Sequence, residues 1–303
     1  MKLPPILIIV FNRPDFALKL FEALAKLKPE KLYVISDGPR NEREAIDVEK
    51  SRLIFNNVDW NCQIKYDYSS VNIGLRQRIT SGIDWVFQSE ETLIILEDDC
   101  IPQPDFFKFC SSMLDRYADD NRIMAINGCN LNPRLSKTFP NSYFFSKYAN
   151  SWGWATWKRA WDLFDRDLSG FDDKDTFKNF TYNFPYRTRS SLYWHYKMGV
   201  VKESKINSWA YRWMFSLWIQ NGLAVVPKFN LIQNIGDDER STNTKGNLHF
   251  LKIESSPIIE DELSHPNFIH ANLTYDKWLE DSIYSKSLKY RLLWMIKKLT
   301  FQI

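Results

Sequence analysis

Three consecutive acidic residues, Glu97, Asp98 and Asp99, are the side chains of this sequence best suited to chemistry. Adjacent carboxylates repel one another, so leaving them without a counter-charge beside a buried strand would cost free energy. A divalent cation that also binds phosphate oxygens would remove that cost. A solvated acidic turn after a strand is the alternative interpretation, and the triplet alone leaves both open.

The residues just before the triplet predict the strand that positions it. The run Leu93-Ile94-Ile95-Leu96 is short, apolar and without alternation, which is typical of a strand buried on both faces of a mainly parallel sheet. Open α/β sheets bind their ligands at the carboxyl edge of such strands. We therefore expect the three carboxylates at a ligand-binding edge.

Polar residues at other predicted strand ends should meet the triplet at this edge. They are Asn12-Arg13, Asp37-Gly38, and Asn72-Ile73-Gly74 with Arg76 just after it. This combination suits a nucleoside diphosphate, because a metal held by Asp99 would bridge two phosphates and offset the charge of the leaving diphosphate. Taken singly, Asp37 also fits a turn residue and Arg13 a surface charge.

Strands and helices alternate over the first 130 residues, which predicts a doubly wound α/β fold with a mainly parallel central sheet and helices on both faces. The predicted strands are 5–11, 31–36, 62–68, 93–96 and 123–127, and the predicted helices are 17–27, 41–55, 72–87 and 103–119. Aromatic residues become common after residue 130. There we predict strands at 142–148, 223–227 and 230–233, a loop running into a helix at 151–161, a partly helical stretch at 172–200, a helix at 209–220 and a loop at 234–246.

Tryptophan is concentrated between residues 152 and 218, and two explanations apply. Aromatic faces stack well on sugar rings, but most of these residues have helical spacing and are expected in the core: Trp157, Trp161, Trp213 and Trp218. Trp152 and Trp154 flank Gly153 in a predicted loop, which makes them the better ligand candidates.

The composition and motifs exclude several classes of function. A net charge of +3 over 303 residues is too small to indicate nucleic-acid binding. No Walker-type or dinucleotide-type glycine motif is present, and the cysteines and histidines lack zinc-ligand spacing. No apolar run approaches the ~20 residues that span a bilayer. No secretory signal is visible, so we expect a reduced, cytoplasmic protein.

The segment from Ser285 to Ile303 has basic and apolar residues but no acidic ones. A basic amphipathic helix of this kind, with Trp294, can lie on an anionic membrane surface, which would place the protein at the inner face of the membrane. The alternative is a helix docked on its own domain with a solvated basic face.

Taken together, these segments resemble the GT-A glycosyltransferases. The nucleotide-sugar half of that family is similar to Ile6–Arg13, Ser36-Asp37-Gly38 and Glu97-Asp98-Asp99. The most similar members are the inverting N-acetylglucosaminyltransferase I type and its bacterial relatives, the hemolysin-like or nucleotide-diphospho-sugar transferases. The bacterial group is also similar at Gly153–Thr156, Asn207–Trp213 and Asn234–Gly236, so the likeness covers most of residues 4–246.

The resemblance implies a GT-A fold, a UDP-sugar donor and a divalent ion, Mn²⁺ or Mg²⁺. It implies that residues 1–130 form the nucleotide-sugar-binding half, that 131–274 form an aromatic-rich acceptor-binding and catalytic half, and that 275–303 form a basic tail. Carried onto this sequence, the metal ligand is Asp99. The residues expected to bind the nucleotide-sugar are Ile9, Arg13 and Asp37 at the uridine, Glu97 and Asp98 at the sugar or ribose, Arg76 near the base or phosphates, and Trp154.

Two positions depart from the family pattern. The family's general base is an Asp just after the Trp that matches Trp209, but this sequence has Ala210 there. An inverting transfer needs a base for the acceptor hydroxyl proton, and Glu203 and Asp238 are the candidates. Bacterial relatives often have His where this chain has Asn243.

We therefore predict a metal-dependent, inverting glycosyltransferase. It would move a hexosyl or N-acetylhexosaminyl group from a UDP-sugar to a hydroxyl of a glycan or lipid-linked glycan, without a nucleic-acid partner. A non-catalytic nucleotide-sugar or glycan-binding protein of the same fold is the alternative, since the usual Asp and His are absent. A nucleotidyltransferase is a third reading, disfavoured because Phe11-Asn12-Arg13-Pro14 replaces a Gly-rich loop after the first strand.

Overall fold

One eight-stranded sheet runs through the structure, a computed structural model that describes residues 3–173, 175–176, 184–185, 187–237, 255 and 263–285. The strand order is β3-β2-β1-β4-β8-β6-β9-β7, and β5 and β10 form a separate two-stranded ribbon. The strands are β1 Ile6–Val10, β2 Lys31–Ser36, β3 Gln63–Tyr68, β4 Thr92–Glu97, β5 Cys100–Pro102, β6 Ile123–Asn127, β7 Tyr143–Ser146, β8 Trp154–Trp157, β9 Leu223–Pro227 and β10 Ile232–Asn234.

Helices cover both faces of this sheet. They are α1 Pro14–Leu27, α2 Glu42–Ile54, α3 Leu75–Val86, α4 Pro104–Arg116, α5 Pro133–Ser136, α6 Lys158–Trp161, α7 Arg187–Lys202, α8 Trp209–Ile219 and α9 Leu273–Leu279. The pairs β1–β2, β2–β3, β1–β4 and β6–β9 are parallel, while β7 and β8 run antiparallel to their neighbours. The prediction of an α/β fold with a mainly parallel sheet is confirmed.

Strand β1 shows why the central strands read as unbroken apolar runs. All five of its residues are buried, because alternate side chains enter two different cores. Ile6, Ile8 and Val10 pack on the face covered by α1 and α4, whereas Leu7 and Ile9 pack on the face covered by α3 and α8. A strand without a solvent face needs no polar alternation.

The prediction that residues 151–157 form a loop leading into a helix is wrong at β8. Trp154–Trp157 is a buried antiparallel strand inserted between β4 and β6, with Leu93 opposite Thr156 and Ile126 opposite Ala155. Its strand conformation comes from two neighbours distant in sequence, which no local pattern reveals. The chain enters β8 through Gly153, whose φ of +58° favours glycine.

Two buried carboxylates fix the last described helix to the core. Asp276 accepts hydrogen bonds from Ser146 Oγ at 2.6 Å and from the Lys147 amide at 3.2 Å. Glu280, one turn later, accepts from Trp194 Nε1 at 2.8 Å and from the Tyr148 hydroxyl. Burial raises the pKa of Asp276 to about 7. The basic segment 286–303, with its proposed membrane contact, lies outside the described residues.

None of the helices in the described ranges is both long and apolar enough to cross a bilayer. The four cysteines, Cys62, Cys100, Cys110 and Cys129, carry free thiols.

The buried carboxylate Asp276 predicts a pH dependence of stability. Its pKa rises from about 3.9 in the unfolded chain to about 7 in the folded protein. The folded state therefore binds this proton more tightly, and the free energy of unfolding should fall as pH rises through this window. Asp276→Asn should flatten that fall when unfolding by denaturant is measured between pH 4.5 and 7.5. Asp119→Asn, at an exposed position, is the matched control, and an unchanged slope in Asp276→Asn would contradict the assignment.

Candidate active site

A cavity of about 440 Å³ opens at the carboxyl ends of β1 and β4. Small-molecule sites commonly have volumes of roughly 300–1,000 Å³. One wall comes from the sheet and carries Ile9, Arg13, Glu97, Asp98 and Asp99. The second wall comes from later parts of the chain: Ser151, Trp152, Lys197 and Ile206–Tyr211. Asn234 also lines the cavity, beside the sheet wall, because it pairs with Cys100.

The register of two parallel strands brings the charged residues of the first wall together. Ile9 of β1 lies opposite Glu97 of β4, so the turn after β1 meets the residues that follow β4. Pro14 then starts α1 directly after Arg13, because proline fits the first helical position. The guanidinium is thereby held at the end of β4. The predicted meeting of these two loops is confirmed.

Arg13 forms ion pairs with two of the three carboxylates. Its Nη2 donates to Asp98 Oδ1 and lies 3.0 Å from Asp99 Oδ2. The exposed fractions of the side chains are 15% for Arg13, 3% for Asp98 and 17% for Asp99. Both aspartates line the cavity, and Asp99 is the more exposed of the two.

Burial sets the electrostatics of the acidic triplet. It raises the pKa of Glu97, and the charges of Asp99 and Asp98 raise that pKa further, against the effect of Arg13. Burial also raises the pKa of Asp98, whereas Arg13 opposes this rise. For Arg13 burial alone would lower the pKa, but the two aspartates outweigh burial and raise the pKa above its usual value. The cluster is therefore short of positive charge, which favours a bound proton or a further cation.

The donor set fits a metal ion shared with a substrate and not a metal held by protein alone. Among the described residues no group of three or more His, Cys, Asp and Glu could hold a metal. Mg²⁺-type ions, however, often use one or two carboxylates together with substrate phosphates and water. Asp99 lies close to Gly236, where a Cβ would come within 2.4 Å of Asp99 Oδ2 and require that carboxylate to shift.

Asp37 has a structural role at this edge of the sheet. One carboxylate oxygen accepts from the amides of Gly38 and Ile73, both at 2.9 Å, and the other accepts from the Gly74 amide at 2.8 Å. Only 6% of the residue is exposed, and it lies outside the cavity lining. It therefore fixes the loop that starts α3, as the turn interpretation predicts.

Arg76 lies in the first turn of α3, half-buried and outside the cavity lining, whereas its neighbour Leu75 lines the cavity. Burial lowers the pKa of Arg212 on α8, and the positive charge of Arg76 lowers it further. The structure thus brings Arg76 next to the second wall of the cavity.

The placement of Trp154 as a loop residue facing the ligand is wrong. Only 1% of it is exposed, and its ring packs against Trp161, Trp209 and Trp213 at centroid distances of 6.2, 5.5 and 5.8 Å. The reason is the unpredicted strand β8, which turns this side chain into the core. Trp152 and Trp209 line the cavity instead.

Of the two candidate bases, Glu203 and Asp238, the structure describes only Glu203. Glu203 lies on the exposed surface beyond α7, 2.5 Å from Lys205 Nζ, and it is outside the cavity lining. The structure does not bring it to the carboxylate triplet. Asp238 and Asn243 lie outside the described residues.

The second wall is built around the start of α8. Ser208 caps this helix by accepting from the Tyr211 amide at 3.3 Å, and residues 206–211 line the cavity. The amino end of a helix carries free amides and a partial positive charge. It therefore favours an anionic group in the cavity.

Lys197 of α7 lines this wall too, and sequence reasoning missed it. Its Nζ lies 5.0 Å from the centre of the Tyr211 ring. The segment 172–200 shows no clear pattern in sequence, so only the packing of α7 against α8 brings this lysine to the site. By contrast, Asn207-Ser208 before a helical run is a readable start signal for α8.

Comparisons with known proteins find only distant similarity. No protein-family model matches the sequence, and the search of curated proteins found no match. Among solved structures, the mannosyltransferase PcManGT from Pyrobaculum calidifontis in complex with GDP-Man and Mn²⁺ is similar at 12% identity and a TM-score of 0.40, over 73% of this chain and 70% of that one. The galactosyltransferase LgtC in complex with donor and acceptor sugar analogues is similar at 9% identity and a TM-score of 0.37, over 73% of this chain and 72% of that one.

A UDP-glucose pyrophosphorylase complexed with UDP-glucose is similar at 10% identity and a TM-score of 0.32, over 53% of this chain and 78% of that one. These likenesses are too distant to assign a family or an activity. The geometry of the cavity therefore has to carry the functional conclusion.

The ion pairs of Arg13 predict a large effect on stability. Arg13→Met should lower the free energy of unfolding by about 3–5 kcal/mol, because it leaves the buried Asp98 without a counter-charge. Arg13→Met combined with Asp98→Asn should recover part of that loss in a double-mutant cycle followed by urea unfolding.

Arg122→Met is the matched control, since Arg122 pairs with Asp120 on the exposed surface and should have little effect. If Arg13→Met and Arg122→Met lowered the free energy of unfolding equally, the buried pair would contribute no more to stability than an exposed pair.

Proposed function

We propose that this protein is a GT-A glycosyltransferase that transfers a sugar from a UDP-sugar to a hydroxyl of a glycan or lipid-linked glycan. The observation that carries the proposal is the cavity at the ends of β1 and β4, with Arg13 and three carboxylates on one wall and a helix amino end with Lys197 on the other. Such a cavity offers sites for a metal ion, a diphosphate and a sugar side by side.

The donor would lie along the sheet wall. Ile9 and Arg13 would contact the nucleoside, and Glu97 and Asp98 would accept hydrogen bonds from ribose or sugar hydroxyls. Asp37 and Arg76 would act at the border of the nucleotide site, Asp37 by holding the loop at residues 72–74. Two of the four aromatic residues that line the cavity, Trp152 and Trp209, would offer faces for sugar rings.

Asp99 would hold the divalent ion, Mn²⁺ or Mg²⁺, together with the diphosphate. Such an ion supplies Lewis-acid stabilisation of the leaving diphosphate. The chain's own part is to place the Asp99 carboxylate at the cavity wall, beside Gly236. Binding of the diphosphate would draw Arg13 partly away from Asp99.

The transfer itself would be a direct displacement with inversion. The acceptor oxygen forms a bond to the anomeric carbon, the bond from that carbon to the phosphate oxygen breaks, and the electron pair leaves with the nucleoside diphosphate. A base must take the acceptor hydroxyl proton. Since Glu203 lies away from the cavity, Asp238 remains the candidate that we propose.

We also propose the transferred group, the process and the location. We propose transfer of a hexosyl or N-acetylhexosaminyl group in polysaccharide biosynthesis, in the cytoplasm, with the segment 286–303 contacting an anionic membrane surface.

A donor screen tests the proposed function. The purified protein is incubated with a set of UDP-sugars and Mn²⁺, with and without glycan acceptors, and UDP release is measured. We expect release with at least one donor, increased by an acceptor. The alternative, a non-catalytic binding protein, predicts thermal stabilisation by UDP without release under any condition. The proposal would be contradicted if no UDP-sugar stabilised the protein and none released UDP.

Asp99→Asn tests the metal-binding role. It should lower kcat about 10²-fold or more, by analogy with loss of one preorganised group that stabilises a developing charge. It should also abolish the dependence of UDP affinity on Mn²⁺, as measured by calorimetry. Asp119→Asn keeps the same chemical change at an exposed position and should behave like wild type. Full activity in Asp99→Asn would remove the metal assignment.

A further inference from the structure

Lys197 is a cationic side chain of the cavity that the proposed function leaves without a role. It lies on α7, whose buried residues Trp194, Met198 and Val201 pack into the core. This packing fixes the helix and directs the neighbouring lysine to the cavity wall. Its aliphatic stem and ammonium group lie near the Tyr211 ring, with Nζ 5.0 Å from the ring centre.

Lys197 has no acidic partner among the residues that the structure describes. Three other half-buried lysines form ion pairs: Lys31 with Glu90, Lys158 with Asp162 and Lys202 with Asp172. Burial lowers the pKa of Lys197, and no neighbouring carboxylate raises it. A partly desolvated ammonium without a counter-charge is unfavourable, and a bound anion would relieve that cost.

The two walls of the cavity therefore differ in electrostatic character. The sheet wall holds Glu97, Asp98 and Asp99, whose charge Arg13 offsets only in part. The helical wall holds Lys197 and the amino end of α8, both positive, and contributes no carboxylate in the ranges described. An anion entering this cavity would be attracted to the helical wall and would reach the sheet wall only through a cation.

We propose that Lys197 binds the diphosphate of the nucleotide-sugar donor, from the side of the cavity opposite to Asp99. This inference rests on the proposed function. The ammonium would contact a phosphate oxygen, and the free amides at the start of α8, after the cap Ser208, would assist. The diphosphate would then be held between a metal on one side and Lys197 on the other.

This arrangement gives Lys197 a function in leaving-group stabilisation as well as in binding. Negative charge grows on the diphosphate as the bond to the anomeric carbon breaks, and a fixed cation beside it favours that change. Removal of the charge should therefore weaken binding of UDP and also lower kcat, while binding of uridine without phosphates should not change.

The test compares the affinities of UDP and uridine for three variants, measured by calorimetry in the presence of Mn²⁺. Lys197→Met keeps an apolar stem near Tyr211 and removes the charge. It should weaken UDP about 10- to 100-fold, the range expected for losing one hydrogen bond to a charged group, and leave uridine unchanged. Lys197→Arg should recover most of the affinity. Lys205→Gln, at an exposed lysine beyond the end of α7 that pairs with Glu203, should match wild type.

The outcomes separate this inference from the function on which it rests. Wild-type protein that binds no nucleoside diphosphate overturns both. If wild type and Lys197→Met bind UDP equally well, only the inference is overturned. A raised KM for the acceptor in that variant would then assign Lys197 to an acceptor phosphate instead. Equal loss of UDP and uridine binding, with a lowered melting temperature, would show a structural role and overturn it as well.

Discussion

The ion pairs that Arg13 forms with Asp98 and Asp99 are the constraint on which the site depends. Three carboxylates lie at the end of one buried strand, and one guanidinium from the turn after the neighbouring strand offsets part of their charge. Burial raises the pKa of Glu97, and the charges of Asp99 and Asp98 raise it further, against the effect of Arg13. A further positive charge, whether a proton or a cation, would therefore be favourable beside these acids.

The rest of the fold serves to keep these groups in place. The parallel register of β1 and β4 sets the position of Arg13 relative to the triplet. The antiparallel strand β8 lies on the other side of β4 and directs Trp154 into a cluster of indole rings beneath the site. The second wall packs on the same cluster, since Trp209 and Trp213 of α8 belong to it. The strands of the sheet wall and the helix of the second wall therefore share one core.

Much of the sheet wall was predictable from sequence because its signals are local. Apolar runs that end in charged residues gave the bounds of β1, β2, β4 and β6 to within one or two residues, and parallel strands bring their ends together by necessity. The role of Asp37 in fixing a loop was not predictable, because a carboxylate before a glycine can either contact a ligand or accept hydrogen bonds from a loop. Strand β8 and Lys197 escaped prediction because each owes its position to packing between segments distant in sequence. Glu203 was chosen for its place along the chain, and the surface ion pair with Lys205 shows how weak that criterion is.

A crystal structure of the protein soaked with UDP and Mn²⁺ would test the central claim most directly. The account predicts a metal ion on Asp99, the diphosphate between that ion and Lys197, and an Arg13 guanidinium that has moved from Asp99 while keeping its contact with Asp98. Nucleotide density outside the cavity formed by Arg13 and the acidic triplet would contradict the account. An ordered diphosphate inside that cavity, with Asp99 still bound only to Arg13, would contradict it as well.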